Sequence, residues 1–312
     1  ILCLILGNVI LRKNEYHQTS DIQISRSMMI TLVLSTISLM IPMSLLTQKG
    51  YHSLWVWPIL LIAIFFIVNF IITNRQATHP IVHFHTLFSK KPFVGATMAI
   101  SSHLTLLTGI AGINVYIVRI LKLPFDISLH FYFFFFVGVI ITGILKMFFY
   151  SSVGAGFLGT LGSSALLYVS IHWIILGNTI NIPLLYIQGL LLGFGASMTL
   201  VSGSMATLLD GDLKEAAQRS QTMHTIRNFS AAMLIPIIAY TIKNHIQKGT
   251  QSIYAENITD KMIYLKKLQD VAIDADHQIF LLMIIFNMVM FVSSIIQMIL
   301  GKGRRITPPR ES

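Results

Sequence analysis

Apolar residues in this chain gather into long runs, and polar residues are confined to the gaps between them. Runs of spanning length occupy 28–47, 53–73, 92–118, 127–149, 153–176, 183–209, 225–243 and 278–300. About 30 Å of bilayer hydrocarbon needs roughly 20 helical residues to cross it, so each run predicts one membrane-spanning helix. The runs are apolar on every side. That excludes the other spanning solution, a closed barrel of short strands alternating apolar and polar residues. The predicted fold class is therefore all-α, a polytopic helical membrane protein. Punctuation supports the boundaries: Pro58, Pro92 and Pro183 fall in first turns, while Gly50, Gly177 and Gly301 follow helix ends. Pro42 and Pro236 lie inside spans, where each frees a carbonyl and predicts a kink, structural in one reading and a hinge in another.

Between the last two spans lies a long polar segment. Ile258, Met262, Leu265, Leu268 and Ala272 recur there at helical spacing, with charges between them. This predicts a helix lying on the outer membrane surface, either capping the bundle or docking a partner. At the other end the opening ILCLILGNVIL is too short to span, and it lacks the basic flank and small-residue cleavage site of a signal peptide. It reads as the end of a truncated span over residues 1–11. A two-span segment with its loops follows over 12–91, a six-helix lobe over 92–300, and a basic tail over 301–312.

Composition fixes the solvent. With 54% hydrophobic and 11% charged residues and a mean hydropathy of +0.73, most of the surface must face lipid. The single cysteine, Cys3, has no partner for a disulfide. The net charge of +10 does not point to nucleic acid, because the basic residues are scattered between apolar runs rather than clustered on a face. They sort by side instead. One set of connections holds Arg12, Lys13, Arg26, Arg75, Lys90, Lys91, Lys146, Lys214, Arg219, Arg227 and the tail residues Lys302, Arg304, Arg305 and Arg310. The opposite set holds Lys49, Arg119 and Lys122, plus lysines in the long segment whose charge is offset by Glu256, Asp260, Asp270, Asp274 and Asp276. Because cytoplasmic loops retain Lys and Arg, the C-terminus and the 12–27 loop are expected in the cytoplasm, with the bundle in the inner (plasma) membrane.

The spans themselves carry little chemistry. A charge at the helix centre costs about 2.5 to 3.5 kcal/mol on insertion scales, and every Asp and Glu is expected in a loop, a tail or a helix end. His103, midway along the 92–118 run, is the titratable candidate at depth, for proton coupling or for a bond to a neighbouring helix. Gly189, Gly193 and Gly195 suit close helix packing or a sliding interface, as do the glycines at 154, 156, 159 and 162. Asp212 and Glu215 have the spacing of a helix N-terminal cap. His79, His83 and His85 lie close together, but no Cys or carboxylate joins them to make a metal site. No phosphate-binding loop, nucleophile elbow, HExxH or dinucleotide fingerprint is present, so neither an enzyme nor a bound cofactor is expected.

Three blocks carry a family resemblance. NRQATHPIVHFHTLFSKKPFVG (74–95) resembles the connection before the ninth span of fourteen-span drug:proton antiporters of the EmrB/QacA type, in the major facilitator superfamily; His79, Pro80, Leu87, Phe88, Lys91 and Phe93 match in order. YIQGLLLGFGASMTLVSGSMATL (186–208) resembles that family's glycine-rich twelfth span. EAAQRSQTMHTIRNFSAAM (215–233) resembles the short helix and the start of the thirteenth span, with Gln218, Thr225 and Arg227 in place. Ser230 and Ala231 replace a usual glycine pair, and Asn114 replaces a common proline. The resemblance implies a C-terminal lobe plus two extra spans, with the N-terminal half and its motifs missing. It places Asn114, Tyr116, Gln188, Asn228 and Tyr240 along a central path that His103 would share, while Arg227, Pro236 and the glycines at 189, 193 and 195 read as gating or packing positions.

On that resemblance the expected activity is proton-driven export of small amphipathic compounds, with membrane lipid and protons as further partners and a periplasmic adaptor as an optional one. Three rivals stay open: a same-fold transporter of another solute, an inactive truncated remnant, and a membrane-embedded enzyme or assembly subunit.

Overall fold

The computed structural model describes residues 26–50, 53–77, 80–210, 215–256 and 260–301. The 1–11 stub, Arg12, Lys13, His79, Asp212, Lys214 and the tail beyond Gly301 lie outside the described residues. The elements are α1 (Arg26–Lys49), α2 (Val56–Gln76), the short α3 (Phe84–Leu87), α4 (Lys90–Asn114) running into a π turn (Val115–Ile120), α5 (Phe125–Trp173), α6 (Ile182–Leu209), α7 (Ala216–Ala255) and α8 (Lys261–Ile299). Seven helices among the described residues are long and apolar enough to cross a membrane.

One of the seven crosses twice. At 49 residues α5 would be about 74 Å long if straight, more than two membrane cores. Gly154, at φ 81° and ψ 171°, breaks it in a backbone region open essentially to glycine alone. Contacts with α6 show a reversal there. In the first limb, Phe131 packs on Gly189, Phe135 on Gly193, and Lys146 bonds Ser197, so the two helices run parallel. In the second limb, Gly162 meets Gly195 and Trp173 bonds Gln188, so they run antiparallel. Eight passes result, matching the eight apolar runs. The ends of the bundle are called here the near end, where α4 begins and α8 finishes, and the far end, where α7 turns into α8.

The helix surfaces are reversed relative to a water-soluble protein. Leu61, Phe65, Ile140, Met147, Phe148 and Ile285 are exposed, while Ser102, Thr108, Thr142, Ser163, Thr199 and Asn287 are buried. Lipid is the solvent that permits this, and the protein is a multi-pass helical membrane protein. Its core lies between α4, α5, α6 and α8, filled by Met98, Phe131, Leu166, Trp173, Leu192 and Phe280. The α1–α2 pair stands apart and touches the rest through α1 on α7 and through Asn74 of α2, which donates to the Val82 carbonyl and accepts from the Val82 backbone N–H.

Glycine sets how closely the core helices approach. A Cβ added at Gly193 would lie 2.0 Å from the Phe135 carbonyl oxygen, and one at Gly138 2.1 Å from that of Leu190. Backbone meets backbone there, because apolar burial gains little between helices already in lipid and close dispersion contact must supply the packing. Hydroxyls add to it: Ser102 and Thr199 sit 2.6 Å apart across α4 and α6, and Thr142 donates to the Phe194 carbonyl at 3.0 Å.

The expected surface helix is corrected. Residues 261–277 continue the last span without a break, and α7 extends outward to meet them. Val271 packs on Gly249, Tyr254 stands against Tyr264, and Lys267 pairs with Glu256, so the two helices zip into a hairpin at the far end. Asp260 starts the return helix by accepting from the Met262 backbone N–H at 2.7 Å. Helical spacing in this segment was legible. What it could not show was that the apolar face has a partner helix in place of a membrane surface.

Candidate functional site

His103 lies near the middle of α4, half-buried. Arg227, on the neighbouring α7, lies within electrostatic reach of both His103 and His224. The Arg227 Nε is buried and has no hydrogen-bond partner. Asn228, next along α7, is exposed. The α4–α7 seam thus holds two imidazoles and a guanidinium in a bundle otherwise poor in charge. Pro236 lies on the same helix, and α7 runs through it from Ala216 to Ala255, as α1 runs through Pro42.

Three of the other path candidates gather at the far end, each with a defined bond. Tyr116, fully buried in the π turn, donates to the Gly177 carbonyl. Asn114 accepts from the Tyr132 hydroxyl at 2.8 Å. Gln188 accepts from the Trp173 indole at 2.8 Å, while its Nε2 is buried without a partner. These bonds tie α4, both limbs of α5 and α6 together around the Trp173, Phe131 and Phe280 rings. Tyr240 lies elsewhere, in a polar cleft of about 620 Å³ between the far end of α1 and α7, beside Gln48, Lys243 and Asn244. The six path candidates therefore do not converge on one cavity.

The near end is closed by polar contacts. Arg219, 1% exposed, donates through Nε to the Thr207 carbonyl at 2.9 Å and through Nη2 to that of Leu208 at 2.8 Å. It thereby covers carbonyls that the C-terminus of α6 leaves open. Gln297 donates to Asp210 at 2.8 Å, joining α8 to the same corner. Lys146 reaches the Ser197 carbonyl at 2.9 Å. Of the Asp212–Glu215 capping pair, Asp212 lies outside the described residues; the Glu215 side chain lies 3.6 Å from Arg219, one turn on. In the 80–89 connection, the His83 backbone N–H donates to Thr222 at 2.9 Å. Burial lowers the His83 imidazole below its ordinary pKa of 6.5, against a smaller opposing pull from Glu215.

Two functional groups escaped the sequence reading. Arg219 was visible only as one basic residue among many. Asp276 was assigned to an extramembrane loop, but it lies within α8, is 1% exposed, and neither carboxylate oxygen has a hydrogen-bond partner. The signal was there: Ile273, Asp276, Phe280, Met283, Asn287 and Met290 are buried at alternating steps of three and four, one continuous helix face. The surrounding charges at 260, 266, 267, 270 and 274 masked it.

No protein-family model matches the chain, and no curated protein matches it.

Proposed function

We propose that this bundle is part of a secondary active transporter of the major facilitator type, exporting drugs or other amphipathic compounds against proton entry. The observation that carries the reading is the α4–α7 seam. The Arg227 guanidinium and the His103 imidazole are held there among apolar spans, where ionisable side chains are costly and by default mark a transport path or proton relay, with His224 at the edge of the span. In this reading His103 takes up and releases the proton, and Asn228 presents an amide to the passing solute. Alternating access requires a second lobe rocking against this one, and the α4–α7 face is where it sits. Near-end residues Arg26, Arg75, Lys90, Lys91 and Arg219 support placing that end, with the C-terminus, in the cytoplasm of an inner or plasma membrane. An apolar bundle with sparse charge suits lipophilic cations and similar solutes better than sugars or phosphates.

The test is efflux of a lipophilic cationic dye from cells expressing the complete protein. Efflux above that of empty cells, collapsed by a protonophore and abolished in His103→Ala, is the expected result. Dye retention equal to that of empty cells removes drug export, and protonophore-insensitive efflux removes proton coupling.

A further inference from the structure

Asp276 occupies a place where three pieces of chain meet. The α4–α8 register, set by Phe280 against Gly112, brings Asp276 one turn up to the level of Tyr116 in the π turn. The α5–α8 register, set by Trp173 against Phe280, brings the start of the 174–181 connection to the same level. That connection is fastened on both sides. Tyr116 donates to the Gly177 carbonyl, and the His277 Nε2–H donates to the Leu176 carbonyl at 2.8 Å. Asp276 lies behind these two fastenings, fully buried, with Ile273, Ala275, Ile279 and Phe280 buried around it.

Among the described residues no ion pair involves Asp276, and neither oxygen accepts a hydrogen bond. The groups packed around its level have other positions or partners. Tyr116 spends its proton on Gly177, and His277 spends its own on Leu176. On α7, at the level fixed by Gly249 and Val271, Lys243 is exposed and donates to the Thr47 and Gln48 carbonyls at 2.9 Å. His245 stands beside it, half-buried, with its Nδ1 buried and without a hydrogen-bond partner, and no ion pair links it to Asp276. Arg119, in the last turn of the π segment, is exposed, and His172 at the end of α5 stacks on Tyr168. A carboxylate sealed in such a place is far costlier than the neutral acid.

We propose that Asp276 is a proton-binding site of the far-end seam, held as the neutral carboxylic acid while the 174–181 connection is fastened and giving its proton to water when that connection opens. A π turn is one extra residue in a helix, a device that recurs at functional sites and gives the seam an element able to shift register. Loss of the Tyr116–Gly177 and His277–Leu176 bonds admits water. The O–H bond of Asp276 then breaks, the proton passes to solvent at the far end, and the ion is hydrated. Closure reverses each step. That this cycle serves transport rests on the transporter reading; the protonation itself does not.

Infrared spectroscopy of the purified protein in lipid tests it. At neutral pH a protonated-carboxyl C=O band is expected, shifted by ¹³C-carboxyl aspartate labelling of the wild-type chain. It should be lost in the isosteric Asp276→Asn variant and kept in Asp274→Asn, whose side chain is exposed. A wild-type spectrum in which ¹³C-aspartate shifts no such band overturns the proposal without reliance on any variant, and so does a band that survives Asp276→Asn. A protein showing the band but moving no dye keeps the proton site and loses the transport reading. One that moves dye without the band does the reverse.

Discussion

A Cβ at Gly193 would fall 2.0 Å from the Phe135 carbonyl oxygen, whereas at Gly143, on the same α5–α6 layer, it would meet nothing within 4 Å. The two positions separate packing from propensity. Gly193→Ala forces backbone apart in the core and should cost about 1–3 kcal/mol. Gly143→Ala trades a poor helix former for the best one on an open face and should be neutral or stabilising by up to about 1 kcal/mol. Thermal unfolding of the two variants in the same detergent checks the contrast, and equal midpoints would show that the helices do not approach as closely as described. The glycine pattern around 189–195 was readable as close packing from spacing alone. Which backbone each glycine faces was not, because the register between α5 and α6 depends on a chain reversal signalled by only the three residues 150–152 between two apolar runs. Buried polar residues were harder still. Gln188 and Tyr116 stood out as polar groups in apolar runs, yet their bonds to Trp173 and Gly177 come from elements adjacent only in the folded bundle.

Helix number was legible and helix length was not. Apolar runs report where lipid lies, so 225–243 and 278–300 marked the membrane-embedded parts of α7 and α8, while the helices themselves cover Ala216–Ala255 and Lys261–Ile299. Beyond the lipid a helix carries on as long as a partner satisfies its apolar face, and the hairpin zipped by Gly249 and Val271 provides that. The opposite discrepancy occurs at Gly154, where two passes join almost without a loop. Gly154 has φ 81° and ψ 171°, a conformation that costs a residue with a side chain about 1–3 kcal/mol. Gly154→Ala should lower the unfolding midpoint by a matching amount and loosen the near-end turn, seen as faster amide exchange over 150–158. A variant as stable as the parent, with unchanged exchange, would mean that the reversal does not depend on this backbone state.

The described residues make eight passes through lipid, with their connections sorted to two faces. The exposed apolar belt, the buried hydroxyls and the opposite registers of the two α5 limbs on α6 all require this topology. A membrane-impermeant maleimide applied to sealed vesicles of known orientation, with single cysteines introduced into a Cys3→Ser background, tests it most directly. Ser53→Cys, Asn178→Cys and Met262→Cys, all on exposed or half-exposed far-end positions, should label from one face only; Gln76→Cys and Gly301→Cys should label only from the other. Labelling of Asn178→Cys and Gly301→Cys from the same face would contradict the eight-pass topology.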